Sequence, residues 1–508
     1  MFSTPVILFL ALCLRILFWA SPSTDDQVHL WNIRLRKRLG DMKSHTPIDS
    51  ILPGKRGYPT LSHHLVAFFP EKSWRMAGKA LNVLYDLILV LGAFAAGEYC
   101  FPDASGLLSP GETAALLVGT SPILLPITSR IKSLGGRTLG NLQVSGYLLF
   151  LWLGMNGHPV TGILGAAAMA VLCVLTSKFA VQFIIFTTPF IALLTMNPYP
   201  LMVLAAAAVG AITIPGLGLR DVLSFMYAHS TWYVRNIHTG TTGSARNRLK
   251  DLLALPKLAR ANIDIFFGVL MRRCSYSIAL YSFPLFWVVL LWSFDAPGGD
   301  SFMHFSAHVV FAGTFVFLIT SLRPFLFLGQ AERYFEYTVP YAAIVSIDAL
   351  QQGLLSEKAV LLLVLLQICF SLINAIYSNY SLVRNALKKT TEKGVQDFLV
   401  RNNSLRVLTI PTKQAFEFSD QSGKNKYYYR AINTPKNGLK YKENDYAWFE
   451  MPRPDLDHFL NAYGIDTVVA DKTFLPKAAE QGIHYPLDRY ETVYEDDRHI
   501  VVSLDHKQ

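Results

Sequence analysis

The chain has 508 residues, 52% of them hydrophobic and 16% charged, with a formal net charge of +10. That balance excludes an ordinary soluble enzyme and a nucleic-acid-binding module, whose basic residues would gather on a soluble face, and no P-loop glycine pattern marks a nucleotide site. Apolar runs of about 17 to 22 residues recur instead, the length that crosses a bilayer's hydrocarbon core, so the sequence predicts a polytopic membrane protein.

Eleven spans are predicted, near residues 5–20, 79–97, 112–128, 142–156, 159–176, 178–195, 198–214, 277–294, 305–323, 337–351 and 358–380. The first, "TPVILFLALCLRILFWA", is read as a span rather than a cleaved signal peptide: the charged amino-terminal region is missing and Arg15 interrupts the run. The five cysteines, Cys13, Cys100, Cys173, Cys274 and Cys369, nearly all fall in or beside apolar runs and imply no disulfide framework or thiolate metal site.

Between the first two spans lies a long polar loop, residues 21–78. It opens with Asp25 and Asp26, followed by "DQVHLWNIRLRKRLG", in which Val28, Trp31, Leu35 and Leu39 recur at helical spacing among Arg34, Arg36, Lys37 and Arg38. This pattern predicts an interfacial helix, with Trp31 at headgroup depth and basic stems reaching lipid phosphates. Such a helix would hold the two carboxylates at the membrane surface. Paired there, they suit a general base towards a hydroxyl acceptor, or ligands for a divalent Mg or Mn ion that neutralises a phosphate leaving group. The plainer alternative is an Asp capping the helix.

Further along the loop, "PGKRGYPTLSHHLVAFFP" puts Lys55 and Arg56 on a turn, followed by Tyr58 and then His63 and His64 entering another apolar helix. Adjacent histidines project about 100° apart, which rules out an i, i+4 zinc face and leaves polar contacts to substrate. In the second span Asn82 and Asp86 sit one turn apart, facing a polar cavity or a hydrogen bond to a neighbouring helix. "SRIKSLGGRTLG" brings Arg130, Lys132 and Arg137 around a Gly-Gly turn able to approach a phosphate. A second long polar loop covers residues 215–276. "LRPFLFLGQAERYFEYTVPYAAI" then sets Glu332, Arg333, Tyr334 and Glu336 at the threshold of a late span, with Arg333 able to clamp a donor phosphate or to pair with a glutamate.

After residue 384 apolar runs end, and residues 385–508 carry 18 basic and 18 acidic side chains, so the net positive charge belongs to residues 1–384. That charge meets anionic lipid phosphates more readily than nucleic acid. "SLRVLTIP", "IDTVVADK" and "HIVVSL" read as strands and "PDLDHFLNAYG" as a helix with a glycine stop. The expected fold is thus an all-α membrane bundle over residues 1–384 with a small soluble α/β domain over 385–508.

A span followed at once by an Asp-Asp pair, a basic surface helix, "GYPTLSHHLVAFF" and "ALNVLYDLILVLGAF" resembles the GT-C superfamily of integral membrane glycosyltransferases. The late "ERYFEY" stretch resembles the Arg-Tyr segment bordering the active-site cavity in that superfamily. The resemblance implies an inverting transferase that takes a sugar from a polyprenyl-phosphate-linked donor. The acceptor would be a lipid, glycan or protein on the non-cytoplasmic face. Asp25 and Asp26 would be the catalytic or metal-holding pair, and Arg130, Lys132, Arg137 and Arg333 the donor-phosphate contacts. Lys55, Arg56, Tyr58, His63, His64, Asp86, Glu332 and Tyr334 would line the substrate cavity. A bacterial inner membrane, with site and tail facing the periplasm or exterior, is the expected location.

With the Asp-Asp loop outside, span counting puts residues 129–141, 215–276, 324–336 and the tail outside as well, gathering the motifs on one face. The connections left inside, residues 98–111, 157–158, 196–197, 295–304 and 352–357, contain no Lys or Arg, which inverts the positive-inside rule. Two rival functions stay open. A lipid or glycan flippase without chemistry would suit the Pro/Gly-broken spans, though no pseudo-repeat is present; a glycan ligase would move a larger group.

Overall fold

The structure is a computed structural model that describes residues 4–19, 26–41, 45–52, 57–102, 106–125, 133–213, 219–236, 248–270, 274–282, 302–329, 331–386, 392–419, 423–429, 446–448 and 451–507. The chain forms two compact units: one comprises residues 1–23, 69–215 and 246–380, the other residues 24–68, 216–245 and 381–508.

The first unit is helical. In chain order its first helix is α1 (Thr4–Ile16); α2 (Asp26–Leu39) and α3 (Leu61–Ala67) belong to the second unit; then follow α4 (Trp74–Cys100), α5 (Pro110–Thr120), α6 (Arg137–Met155), α7 (Pro159–Thr176), α8 (Lys178–Leu194) and α9 (Tyr199–Thr213). Later helices include Phe302–Ser321, Val339–Gln351 and Glu357–Ala386. Among the described residues four segments, Glu71–Cys100, Pro159–Thr176, Phe302–Ser321 and Glu357–Tyr377, are long and apolar enough to cross a membrane, and α1, α8 and α9 are shorter apolar helices.

Burial in this unit differs from that of a water-soluble bundle in having large apolar side chains outside and several polar ones inside. Leu84, Leu91, Leu164, Val209, Ile212, Leu362, Leu365 and Ile376 point outwards, whereas Arg15, Asn82, Asp86, Asn141, Glu332, Glu336 and Gln367 are buried. An apolar exterior with ionisable groups held inside suits a hydrocarbon solvent, in which such a group must face the bundle. Helix α5 is buried on every side and opens with a capping box between Ser109 and Glu112, with Pro110 at its first position. The predicted continuous span 112–128 is broken: α5 ends at Thr120, and Ser121 turns to φ −58°, ψ 118°. The cause is local, since Pro122 excludes the residue before it from the helical region.

The second unit contains a five-stranded sheet. Its strands are β1 (Arg406–Ile410), β2 (Lys426–Tyr427), β5 (Thr467–Asp471), β6 (Tyr490–Glu495) and β7 (His499–Lys507); β3 (Tyr446–Trp448) and β4 (Met451–Pro452) form a separate pair. The order is β2-β1-β5-β7-β6, with β1 parallel to β2 and β5, and β7 antiparallel to β5 and β6. Both faces are covered. Val407, Val469 and Val501 enter one core and Leu408, Val468 and Val502 the other, the period-2 alternation of a sheet packed on two sides. Leu456 and Phe459 cover the second face from helix Leu456–Tyr463, which stops at Gly464 in the left-handed conformation, φ 61°.

The first face is covered in part by α2. Trp31 and Leu35 belong to its core, with Val28 and Leu39 packed against it. The expected interfacial placement of Trp31 is therefore wrong: its side chain is buried, 5.3 Å from the Phe416 ring and 5.2 Å from Tyr429. An apolar helical stripe carries no label for lipid or protein, and here the sheet takes it. Ser50 also bridges to Tyr427 beside β2, so a second piece of the first loop extends the sheet edge.

Candidate active site

In the first unit, Lys79, Asn82 and Asp86 lie along one face of α4. Asp86 Oδ2 accepts from Arg15 Nε at 3.1 Å, with neither side chain exposed, and Arg15 Nη1 donates to the Ala11 and Gly119 carbonyls at 3.0 and 2.8 Å. Asn82 donates to the Ser133 carbonyl at 2.7 Å and accepts from the Thr138 hydroxyl. Lys79 Nζ donates to the Trp19 carbonyl at 2.6 Å. This ladder fastens α1, α5 and the amino-terminal end of α6 to α4. Asp86, expected in the substrate cavity, sits in its middle as half of a buried ion pair.

The amino-terminal end of α6 meets the late Arg-Tyr segment. Arg137 Nη2 lies 3.0 Å from Glu336 Oε2; the carboxylate is fully buried and the arginine side chain 13% exposed. Asn141 Nδ2 donates to the Glu336 carbonyl at 3.4 Å. The Tyr334 hydroxyl lies 2.8 Å from the Leu328 carbonyl and 3.1 Å from Gln182 Oε1, and Glu332 is buried. Arg333 stacks its guanidinium over the Phe179 ring at 4.5 Å. An Arg-Glu pair of the kind anticipated in this segment is present between Arg137 and Glu336, and the carboxylate helps to orient Arg137's fixed fork of donors.

In the second unit, Asp26 opens α2 and is 8% exposed. Three residues on, His29 Nδ1 lies 2.9 Å from His63 Nε2 of α3, the rings stacked at 5.1 Å between centroids. Tyr58 packs against both, at 6.2 and 5.7 Å, and against Phe225 at 6.1 Å. His64 turns away, edge-on to Phe68 at 5.1 Å, as a 100° offset from His63 requires. On the sheet side Asp49 Oδ2 accepts from the Tyr429 hydroxyl at 2.6 Å and from Ser419. Burial first, then the Asp49 charge, pushes the Tyr429 phenol well above its ordinary pKa. Arg36, buried near the end of α2, is lowered to about 10 by burial, with Asp41 acting in the opposite sense.

Asp25, Lys55, Arg56, Arg130 and Lys132 lie outside the described residues. The remaining expected residues fall into two sets: Asp86, Arg137, Glu332, Arg333 and Tyr334 in the first unit, and Asp26, Tyr58, His63 and His64 in the second. Among the described residues no group of three or more His, Cys, Asp or Glu is arranged to hold a metal ion. Sequence reasoning missed His29 and Asp49. His29 had a signal, its three-residue spacing from Asp26 on one helical face; Asp49, in "PIDSIL", had none.

No protein-family model matches the chain, and no curated protein sequence does. Three solved structures are among those that resemble it in fold. The oligosaccharyltransferase of Archaeoglobus fulgidus, in complex with Zn and sulfate, is 12% identical over 95% of this chain and 69% of its own, with a TM-score of 0.52. The same organism's AglB, in complex with an inhibitory peptide and a dolichol-phosphate, is 12% identical over 92% and 69%, with a TM-score of 0.50. ArnT from Cupriavidus metallidurans, bound to undecaprenyl phosphate, is 13% identical over 98% and 96%, with a TM-score of 0.51. Identity this low speaks for the fold alone: the chain shares its fold with the oligosaccharyltransferase and with ArnT.

Proposed function

We propose that the chain is an integral membrane glycosyltransferase with eleven spans. It transfers a sugar from a polyprenyl-phosphate-linked donor to a hydroxyl or similar nucleophile of a lipid, glycan or protein on the non-cytoplasmic face, with inversion at the anomeric carbon. The tail faces the same side, the periplasm or exterior if the host is bacterial. One observation supports this reading above the others: in a GT-C-like fold the helix next in chain order after α1 begins at Asp26, the second residue of the Asp-Asp pair in the sequence. The ligands of similar proteins support it, dolichol-phosphate in AglB and undecaprenyl phosphate in ArnT.

In the reaction the acceptor oxygen bonds to the anomeric carbon as the bond from that carbon to the phosphate oxygen breaks. Asp25 or Asp26 takes the acceptor proton, and polyprenyl phosphate leaves with the electron pair. Arg130, Lys132, Arg137 and Arg333 offset the charge developing on the departing phosphate. Tyr58, His64, Glu332, Tyr334, Lys55 and Arg56 contribute to substrate binding, and His63 acts through its hydrogen bond to His29. A Mg or Mn ion held by Asp25 and Asp26 would supply Lewis-acid help to the same phosphate; the Archaeoglobus fulgidus enzyme was solved with Zn.

The test is reconstituted protein offered labelled polyprenyl-phosphate sugars beside Asp25→Asn and Asp26→Asn variants. Transfer by the parent and its loss in at least one variant is expected. Turnover by both variants at the parent's rate sinks the acid-base assignment. Translocation of the labelled lipid without transfer would mean a flippase.

A further inference from the structure

We infer that the carboxyl-terminal sheet is the mount that orients Asp26, with Trp31 and the His29–His63 pair as positioning residues. The inference rests on the role proposed above for Asp26. At 100° per residue α2 has two opposed faces. Val28, Trp31, Leu35 and Leu39 share one; Asp26, His29 and Ile33 share the other. The first face is keyed into the sheet, where Trp31 packs against Phe416 and Tyr429 in the core that also holds Val407, Val469 and Val501. The second is tied to α3 by the hydrogen bond between His29 Nδ1 and His63 Nε2 at 2.9 Å.

Two features stiffen the clamp on the sheet side. The loop segment after α2 pairs with the sheet edge: Tyr427 N–H donates to the Asp49 carbonyl at 2.8 Å, and Ile51 N–H to the Tyr427 carbonyl at 3.0 Å. The Asp49 carboxylate meanwhile accepts from Tyr429, the residue against which Trp31 packs. A surface helix resting in lipid can roll about its axis and slide along the interface. A helix with one face locked into a close-packed sheet and the other hydrogen-bonded to a neighbouring helix can do neither. The acid at its first turn therefore takes its orientation from residues nearly the whole chain away in sequence. Since a displacement of about 1 Å can cost about a hundredfold in rate, loosening the mount should act on turnover rather than on donor affinity.

The experiment uses full-length protein in liposomes with a labelled polyprenyl-phosphate sugar, and compares Trp31→Ala, Trp31→Phe, His63→Leu and His63→Gln, with Asp26→Asn as reference. Gln places an amide where the His63 Nε2 stands, and Phe restores an aromatic key. Trp31→Ala and His63→Leu should lower kcat at least tenfold with donor KM within about twofold, and each conservative variant should recover most of the loss. Amide hydrogen exchange over residues 26–30 should rise in the same two variants. If Trp31→Ala does not fold, the two His63 variants decide by the same measurements. Parent-like kcat in folded Trp31→Ala and His63→Leu overturns the inference, as does unchanged exchange over 26–30. An Asp26→Asn protein as active as the parent would fell the catalytic assignment instead, while the exchange measurement still reports whether the sheet holds α2.

Discussion

Arg15 and Asp86, 71 residues apart in sequence, form an ion pair of 3.1 Å in which neither side chain is exposed. The arginine that interrupts the first apolar run and the carboxylate inside the second thus answer each other. Two charges in so dry a place stabilise little beyond a well-packed apolar pair, but one left alone is costly. Arg15→Met or Asp86→Leu alone should therefore destabilise the protein by about 3–5 kcal/mol, and the double variant should recover most of that loss. Thermal unfolding in detergent measures the cycle. Single variants that melt with the parent would mean that the pair does not hold α1 to α4.

A different outcome is expected at Arg137 and Glu336. Glu336 is fully buried and lies 3.0 Å from the guanidinium of Arg137, whose side chain is 13% exposed. Glu336→Gln preserves shape and removes the charge that fixes the fork. If Arg137 grips the donor phosphate, the variant's donor KM should rise about tenfold with kcat less affected, and Arg137→Lys should do no better, since an ammonium cannot make the bidentate contact. Initial rates over a donor titration separate the two constants. A lower melting temperature with unaltered donor KM would reduce the pair to a structural contact.

Much of this was legible in the sequence, and the boundary is physical. The β-branched runs form strands at 406–410, 467–471 and 499–507 because composition of that kind is local, and the helix before Gly464 ends where a glycine stop was expected. The stripe Val28, Trp31, Leu35 and Leu39 was also visible, but its destination was not: a sheet assembled from residues 406–507 presents the same apolar chemistry as a bilayer. Arg15 and Asp86 were each conspicuous, yet their pairing depends on how α1 and α4 pack. Asp49 gave no local hint, because its value comes only from Ser419 and Tyr429, more than 300 residues downstream. Tertiary pairing, unlike periodicity, has no signature within a window of neighbouring residues.

Tyr429 and Asp49 make a pH prediction whose sign is fixed. The phenol's folded pKa lies well above its ordinary value of about 10, through burial and the adjacent carboxylate. A group raised in the folded state contributes stability that is fully present below the unfolded pKa and is lost as pH rises towards the folded one, because the unfolded chain releases the proton first. Tyr429→Phe should cost about 1–3 kcal/mol at neutral pH, through one of the two donors lost from the buried Asp49 carboxylate. The gap to the parent should narrow above about pH 10. Melting temperatures of both proteins from pH 7 to 11 test this, and a gap that widens with alkali would reject it.

Gly329 links backbone strain to a proposed phosphate contact. It adopts φ +110°, and a Cβ built there would lie 2.8 Å from the Phe179 ring, the same ring over which Arg333 stacks at 4.5 Å. Gly329→Ala meets two separate penalties, an unfavourable dihedral and a clash with an aromatic edge, together about 1–3 kcal/mol or more. The ring can relieve the second only by moving out from under Arg333. Transfer should then weaken through a raised donor KM, as it should in Phe179→Leu, which removes the platform and its cation–π attraction of about 0.5–2 kcal/mol. The two substitutions should not add. In Gly329→Ala/Phe179→Leu the clash is gone, so the double variant should be more stable than the sum of the singles, adding only the dihedral cost to that of Phe179→Leu. Strict additivity in unfolding, with donor KM unchanged in every variant, would show that Arg333 does not depend on this ring.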